Sequence, residues 1–215
     1  MPEQQTIVLD PAEARVLGAL MEKEATTPDY YPLSLNALVN ACNQKSNREP
    51  VVDYDEDTVY QAVDSLRDKR LALTIVGGGR VNKYAQRISE TLNLGRREAA
   101  ILCVLLLRGP QTLGEIKDRS ERMYSFADLE ETERVLEKLA DWPGIPLAKK
   151  LLRQPGQKES RYGHLLSGEP VSGTWTETAP PAVNRLSQLE QEVQQLKSEL
   201  DELRRRFEDL ESQLR

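Results

Sequence analysis

One histidine, His164, and two cysteines, Cys42 and Cys103, are all that the 215-residue chain offers to zinc or thiol chemistry. A zinc site needs three or four such ligands together, and a Cys–His nucleophile needs His164 beside a thiol. Both cysteines fall at apolar positions of helical patterns, where buried and inert thiols are expected. Asp53, Asp55 and Asp57 alternate like the start of a calcium loop, with Asp64 in the twelfth place. The sixth place holds Thr58 instead of the turn-forming glycine, and the twelfth is not Glu. These acids are expected instead at a helix start, where the dipole favours them. Gly77-Gly78-Gly79 fits no phosphate-binding loop, lies between two strand-like runs, and reads as a hairpin turn. No Gly-x-Ser-x-Gly elbow is present. The expectation is a protein without enzymatic activity, cofactor or metal.

The remaining chemistry is charge. Basic residues gather in segments that read as loops and hairpins: Lys45 and Arg48, then Arg80, Lys83 and Arg87, then Lys149, Lys150, Arg153, Lys158 and Arg161. These ten are the candidate contacts to the phosphates of double-stranded DNA. Against them stand two acidic segments. Residues 53–64 carry five acids and no base, and residues 128–138 carry five acids against Arg134 and Lys138. The whole chain is at −6, with 29 Lys+Arg and 35 Asp+Glu.

The elements that position these groups follow from periodicity. Asp10-Pro11 is an N-cap followed by proline, opening a helix to about Glu24 with Val16, Leu17, Leu20 and Met21 on one face. Ser34 caps a short second helix. Asp55 or Asp57 begins a third, with Val59, Ala62, Val63 and Leu66 at helical spacing. Leu71, Leu73 and Ile75 then alternate as a strand does, and Val81–Ile88 returns after the glycines. Three helices and a hairpin make a winged helix-turn-helix. The plan recurs: Leu9, Glu13, Ala14, Leu17 and Leu20 match Leu94, Glu98, Ala99, Leu102 and Leu105 at an offset of 85. Thr112-x-x-Glu115 forms a capping box, and Tyr84 and Tyr162 hold equivalent places in the two returning strands. The second hairpin is Leu147–Arg153 and Ser160–Leu166, turning at Pro155-Gly156. The fold class expected is α+β, mainly α with small β-hairpins: winged-helix domains over 1–89 and 90–168, a linker over 169–183, and a coiled-coil helix over 184–215.

That last helix carries heptads. Leu186, Leu189, Val193, Leu196, Leu200, Leu203, Phe207, Leu210 and Leu214 alternate spacings of three and four without a break. A seam this narrow calls for a second helix. In a parallel pair the facing residues are Arg185–Glu190, Glu192–Lys197, Glu199–Arg204 and Arg206–Glu211, all of opposite sign. A parallel homodimer is expected.

The opening LDPAEARVLGALMEKEATTPDYYPLSLNALVNACNQKSNREPVV, with Arg80, Lys83 and Tyr84 in the hairpin, resembles the YceH family of bacterial proteins. The resemblance covers about residues 8–167, is most specific over Asn43–Pro50, and implies two winged helices without supplying an activity. Two readings of function stay open: a dimeric regulator touching DNA by its basic wings, or an adaptor whose acidic surfaces bind another protein. The longest uncharged apolar run, Ala99–Leu107, is too short to span a bilayer. With no secretory signal and only two cysteines, a cytoplasmic protein with no membrane partner is expected.

Overall fold

Asp10 and Glu13 open the first helix, α1 (Pro11–Thr26), with reciprocal bonds. Glu13 N–H donates to Asp10 Oδ1 at 2.8 Å, and Asp10 N–H to Glu13 Oε2 at 2.7 Å. Ten consecutive residues of this helix, Glu13–Glu22, are buried. A helix enclosed on every side must lie in the middle of its structure. Its neighbours are α2 (Leu35–Cys42), α3 (Glu56–Asp68) and, most extensively, α5 (Arg96–Arg108), itself buried over Ala100–Leu107. Gly18 marks the α1–α5 crossing. A Cβ there would sit 2.8 Å from Leu107 Cδ2, so only glycine lets the helices approach this closely. The Cys103 thiol donates to Gly18 O at 3.3 Å across the same contact.

The computed structural model describes residues 7–76, 81–153 and 157–169. They form a mixed α/β body in which one element order occurs twice. In the first half, β1 (Leu33–Ser34) precedes α2, and β2 (Ala72–Ile75) and β3 (Lys83–Gln86) follow α3, giving an antiparallel sheet ordered β1-β3-β2. In the second half, β4 (Gln111–Thr112) precedes α6 (Leu113–Ser120). After α7 (Leu129–Ala140) come β5 (Ala148–Lys150) and β6 (Arg161–His164), in the order β4-β6-β5. Tyr84 faces Leu33 and Tyr162 faces Gln111, so the two tyrosines occupy equivalent rungs. Ser34 and Thr112 cap α2 and α6, and the capping box of Thr112 and Glu115 forms. One hydrophobic core runs from Leu9 to Leu166 through both halves.

Several local expectations change. Leu73 and Ile75 alternate on the outward face of β2, while Leu71 and Ala72 are buried ahead of them. Strands β1 and β4 have two residues each, too few to show a period. The returning run ends early because a short helix, α4 (Ile88–Thr91), begins at Ile88. The glycine turn, Arg80, the Pro155-Gly156 turn, residues 170–183 and the heptads from Leu186 to Leu214 lie outside the described residues.

Candidate functional site

The ten candidate cations separate by what each side chain touches. Arg48 leaves the set: it is buried, and its guanidinium is consumed inside the fold. Its Nη1 and Nη2 hold Glu22 Oε1 and Oε2 at 3.2 and 2.7 Å. Its Nε and Nη2 reach Ala41 O at 3.1 and 2.7 Å, and Nη1 reaches Asn47 O at 2.9 Å. All five guanidinium donors are thus spent on protein, and none can meet a phosphate. Arg15, which sequence reasoning missed, does similar work, donating to Cys42 O at 3.1 Å and Pro50 O at 2.5 Å. Asn43 exchanges two bonds with the Tyr54 backbone, and Glu49 N–H donates to Leu107 O at 2.9 Å. The Asn43–Pro50 segment is therefore a strap tying the first half to α5.

Four more cations are engaged by carboxylates. Arg161 is largely buried and donates to Glu115 Oε2 at 2.9 Å and Pro110 O at 3.0 Å. Arg87 pairs with Glu90 at 3.1 Å, Lys149 with Glu169 at 2.8 Å and Lys150 with Glu133 at 3.4 Å. The Lys150 ammonium lies 5.4 Å from the Tyr162 ring centroid, and hydrogen bonds to Tyr162 and Glu133 raise its pKa. Exposed ion pairs cost little to break, so these lysines are muted as phosphate contacts and not abolished. Lys45, Lys83, Arg153 and Lys158 are exposed and have no carboxylate partner among the described residues. The structure does not bring these four into one cluster of contacts.

The acidic helices face outward. On α3, Val59, Ala62, Val63 and Leu66 are buried, leaving Glu56, Asp57 and Asp68 on the solvent side with Tyr60, 47% exposed. Asp55 caps this helix, accepting from Thr58 N–H at 2.8 Å, which is the structural use of the alternating aspartates. On α7, Leu129, Glu130, Arg134 and Glu137 are exposed. The first hairpin carries exposed apolar residues: Ile75, Val76 and Val81 are 42%, 81% and 62% exposed. Leu152 of the second hairpin is 95% exposed.

Each half also fastens its first helix to its third by a buried carboxylate. Glu13 accepts from Lys69 Nζ at 2.6 Å and from Ser65 Oγ at 2.6 Å, and Glu98 accepts from Lys138 Nζ at 2.7 Å. Burial alone would raise both carboxyl pKa values, but the lysine bonds hold them below the ordinary range. Both cysteines are free and buried, and burial pushes the Cys42 thiol up to about 12, far from nucleophilic use. Among the described residues no three His, Cys, Asp or Glu side chains gather as a metal site, and no helix is long and apolar enough to cross a membrane.

His164 sits at the end of β6 with Nδ1 buried and unbonded, and burial lowers its pKa to about 4. Protonation therefore favours the unfolded chain. The stability this residue allows is whole above the unfolded value of 6.5 and erodes as pH falls towards about 4. The erosion should not exceed about 3.5 kcal/mol. Urea midpoints across this range should fall, and should fall less in His164→Gln. The ring proton of the sole histidine should titrate near pH 4 by NMR; titration near 6.5 would contradict the burial.

A family model described as "Protein of unknown function, DUF480" matches residues 9–157. A UPF0502 protein of Solibacter usitatus is 56% identical over 205 residues, 93% of this chain and 98% of its own length. One from Pelobacter propionicus is 50% identical over 96% of this chain and 98% of its own. One from Geobacter sulfurreducens is 53% identical over 84% of this chain and 82% of its own.

Proposed function

This chain belongs to the DUF480 family, the UPF0502 proteins among which YceH is counted, and from that premise we propose that it is a non-enzymatic adaptor of two winged-helix repeats. The repeated order of helix, short strand, two helices and hairpin supports the winged-helix reading. In such folds the third helix ordinarily enters the major groove of DNA. Here that helix turns its acids outward, where phosphates would repel them.

The observation that carries the adaptor reading is that α3 presents acids outward while the hairpin after it exposes Ile75, Val76 and Val81. Apolar residues rimmed by charge mark protein-docking surfaces. The partner these residues suit is a protein presenting apolar anchors within a basic rim. Chains are proposed to pair in parallel through the heptads of 186–214, which rests on their sequence alone. The free, buried thiols suit a reducing compartment, and the cytoplasm is the proposed location.

A second reading, DNA contact by the wings, is favoured by the unpaired Lys83, Arg153 and Lys158 on the two hairpins. Anisotropy titration of random duplex at two salt concentrations separates the two. The adaptor should bind duplex weakly or not at all at low salt. It should retain a specific protein that the Ile75→Asp/Val81→Asp double variant loses. Tight duplex binding that falls with a log–log salt slope of about 3–4, and weakens on Lys83→Glu, would replace the adaptor by the DNA reading.

A further inference from the structure

We propose that the cavity between the C-terminal turn of α1, the Asn43–Pro50 strap, the end of α5 and α6 binds a small phosphate-bearing anion. Its volume is about 180 Å³, and its lining includes Arg108, Arg119, Arg122, Asn47, Leu107 and Met123. By liquid volume that is room for about six waters, enough for a phosphate with a short substituent.

The case is one of unspent positive charge. Arg108 is half-buried, and its Nη2 donates to the neutral carboxamide of Asn47; no carboxylate pairs with it among the described residues. Burial and the nearby Arg119 guanidinium lower its pKa to about 10, against the opposing charge of Glu49, so the neighbouring carboxylates only partly offset the cost of burying this cation. Arg122 is exposed and has no ion pair among the described residues. Arg119 is pinned on one side by Glu115 at 3.3 Å, which leaves its other donors. The acids nearby make no ion pair with the cavity side of these arginines. Both Glu22 oxygens are taken by Arg48, exposed Asp118 pairs with none of the three, and Glu49 acts on Arg108 through its charge without an ion pair among the described residues.

Asn47 holds a left-handed backbone, φ 59°, which asparagine tolerates better than most residues. It directs its carboxamide oxygen to Arg108. Three guanidiniums, one from the end of α5 and two from the end of α6 and the turn after it, suit a tetrahedral oxyanion better than a planar carboxylate with two oxygens. Val104, Leu107 and Met123 offer an apolar wall to a short carbon substituent. The site stands apart from the α3–hairpin surface and does not depend on which macromolecule that surface binds.

The test is isothermal titration of the full chain with pyrophosphate, inorganic phosphate and malonate at matched ionic strength. Saturable binding of one pyrophosphate per chain is expected, with malonate weaker. Arg108→Gln and Arg122→Gln should each weaken it about tenfold or more, since each removes a charged hydrogen-bond donor. Arg122 is on the surface, so its variant decides the matter even if Arg108→Gln fails to fold. Absence of saturable heat from both phosphates, unchanged affinity in Arg122→Gln, or malonate binding as tightly as pyrophosphate would each overturn the assignment.

Discussion

Glu22→Gln is expected to cost about 3–5 kcal/mol of folding stability, because it leaves a buried guanidinium without its counter-charge. The Arg48 side chain is fully enclosed and that of Glu22 is 10% exposed, so water cannot replace the lost carboxylate oxygen. A domain of this kind has only about 5–15 kcal/mol to lose, so the variant should approach unfolding at growth temperature. The effect reaches beyond one pair. Arg48 also holds Ala41 O and Asn47 O, so the strap over α5 should loosen together with the α1 contact. A Glu22→Met/Arg48→Met double variant removes both charges and should recover part of the loss, but not all, since the two carbonyls stay unpaired. Lys45→Glu in the same strap should stay within about 0.5 kcal/mol, because Lys45 is exposed. Denaturant midpoints and slopes measure all three. A Glu22→Gln loss below about 1 kcal/mol would mean that the pair is open to solvent.

Removing residues 184–215 should cut the mass seen in sedimentation equilibrium to less than half, from twice the 24.3 kDa chain to a single truncated chain. The heptad positions from Leu186 to Leu214 cover 29 residues, which wound as a helix would extend about 43 Å. Two positions in seven cannot shelter themselves, so the apolar stripe demands a second helix. In the proposed pair the leucines would supply the affinity, and the four opposite-sign pairs, each worth about 0.2–1 kcal/mol, would select the parallel arrangement. Leu203→Lys at the centre of the seam should therefore separate the chains while leaving residues 7–169 folded, as far-UV circular dichroism and the thermal transition would report. A truncated chain that still dimerised would place the contact within residues 1–183 instead.

Local rules reached much of this molecule. Asp10-Pro11, Ser34, Asp55 and Thr112 are caps because a short oxygen-bearing side chain next to an apolar period satisfies free backbone N–H groups. The 85-residue offset was legible because both copies must bury the same face of their first helix. Less legible was the depth of α1. Glu13, Arg15 and Glu22 are polar by type, yet all three are buried, Glu13 against Ser65 and Lys69 at the end of α3, and Arg15 and Glu22 against the end of α2 and the Asn43–Pro50 strap. Gly18, a glycine inside a helix, is the sequence signal of the close α1–α5 crossing.

What the sequence by itself determined is the inventory: two copies of one element order, a single histidine and two cysteines at apolar helix positions, and a heptad pattern in the tail. Those depend on residues near one another in the chain, where spacing and chemistry are enough. Which charges are free was decided only by the tertiary structure. Lys45 and Arg48 stand three residues apart in one polar stretch and look alike, but Arg48 meets a carboxylate 26 residues away and two backbone carbonyls. Burial of a charge depends on which distant groups converge on it, and local pattern does not encode that convergence.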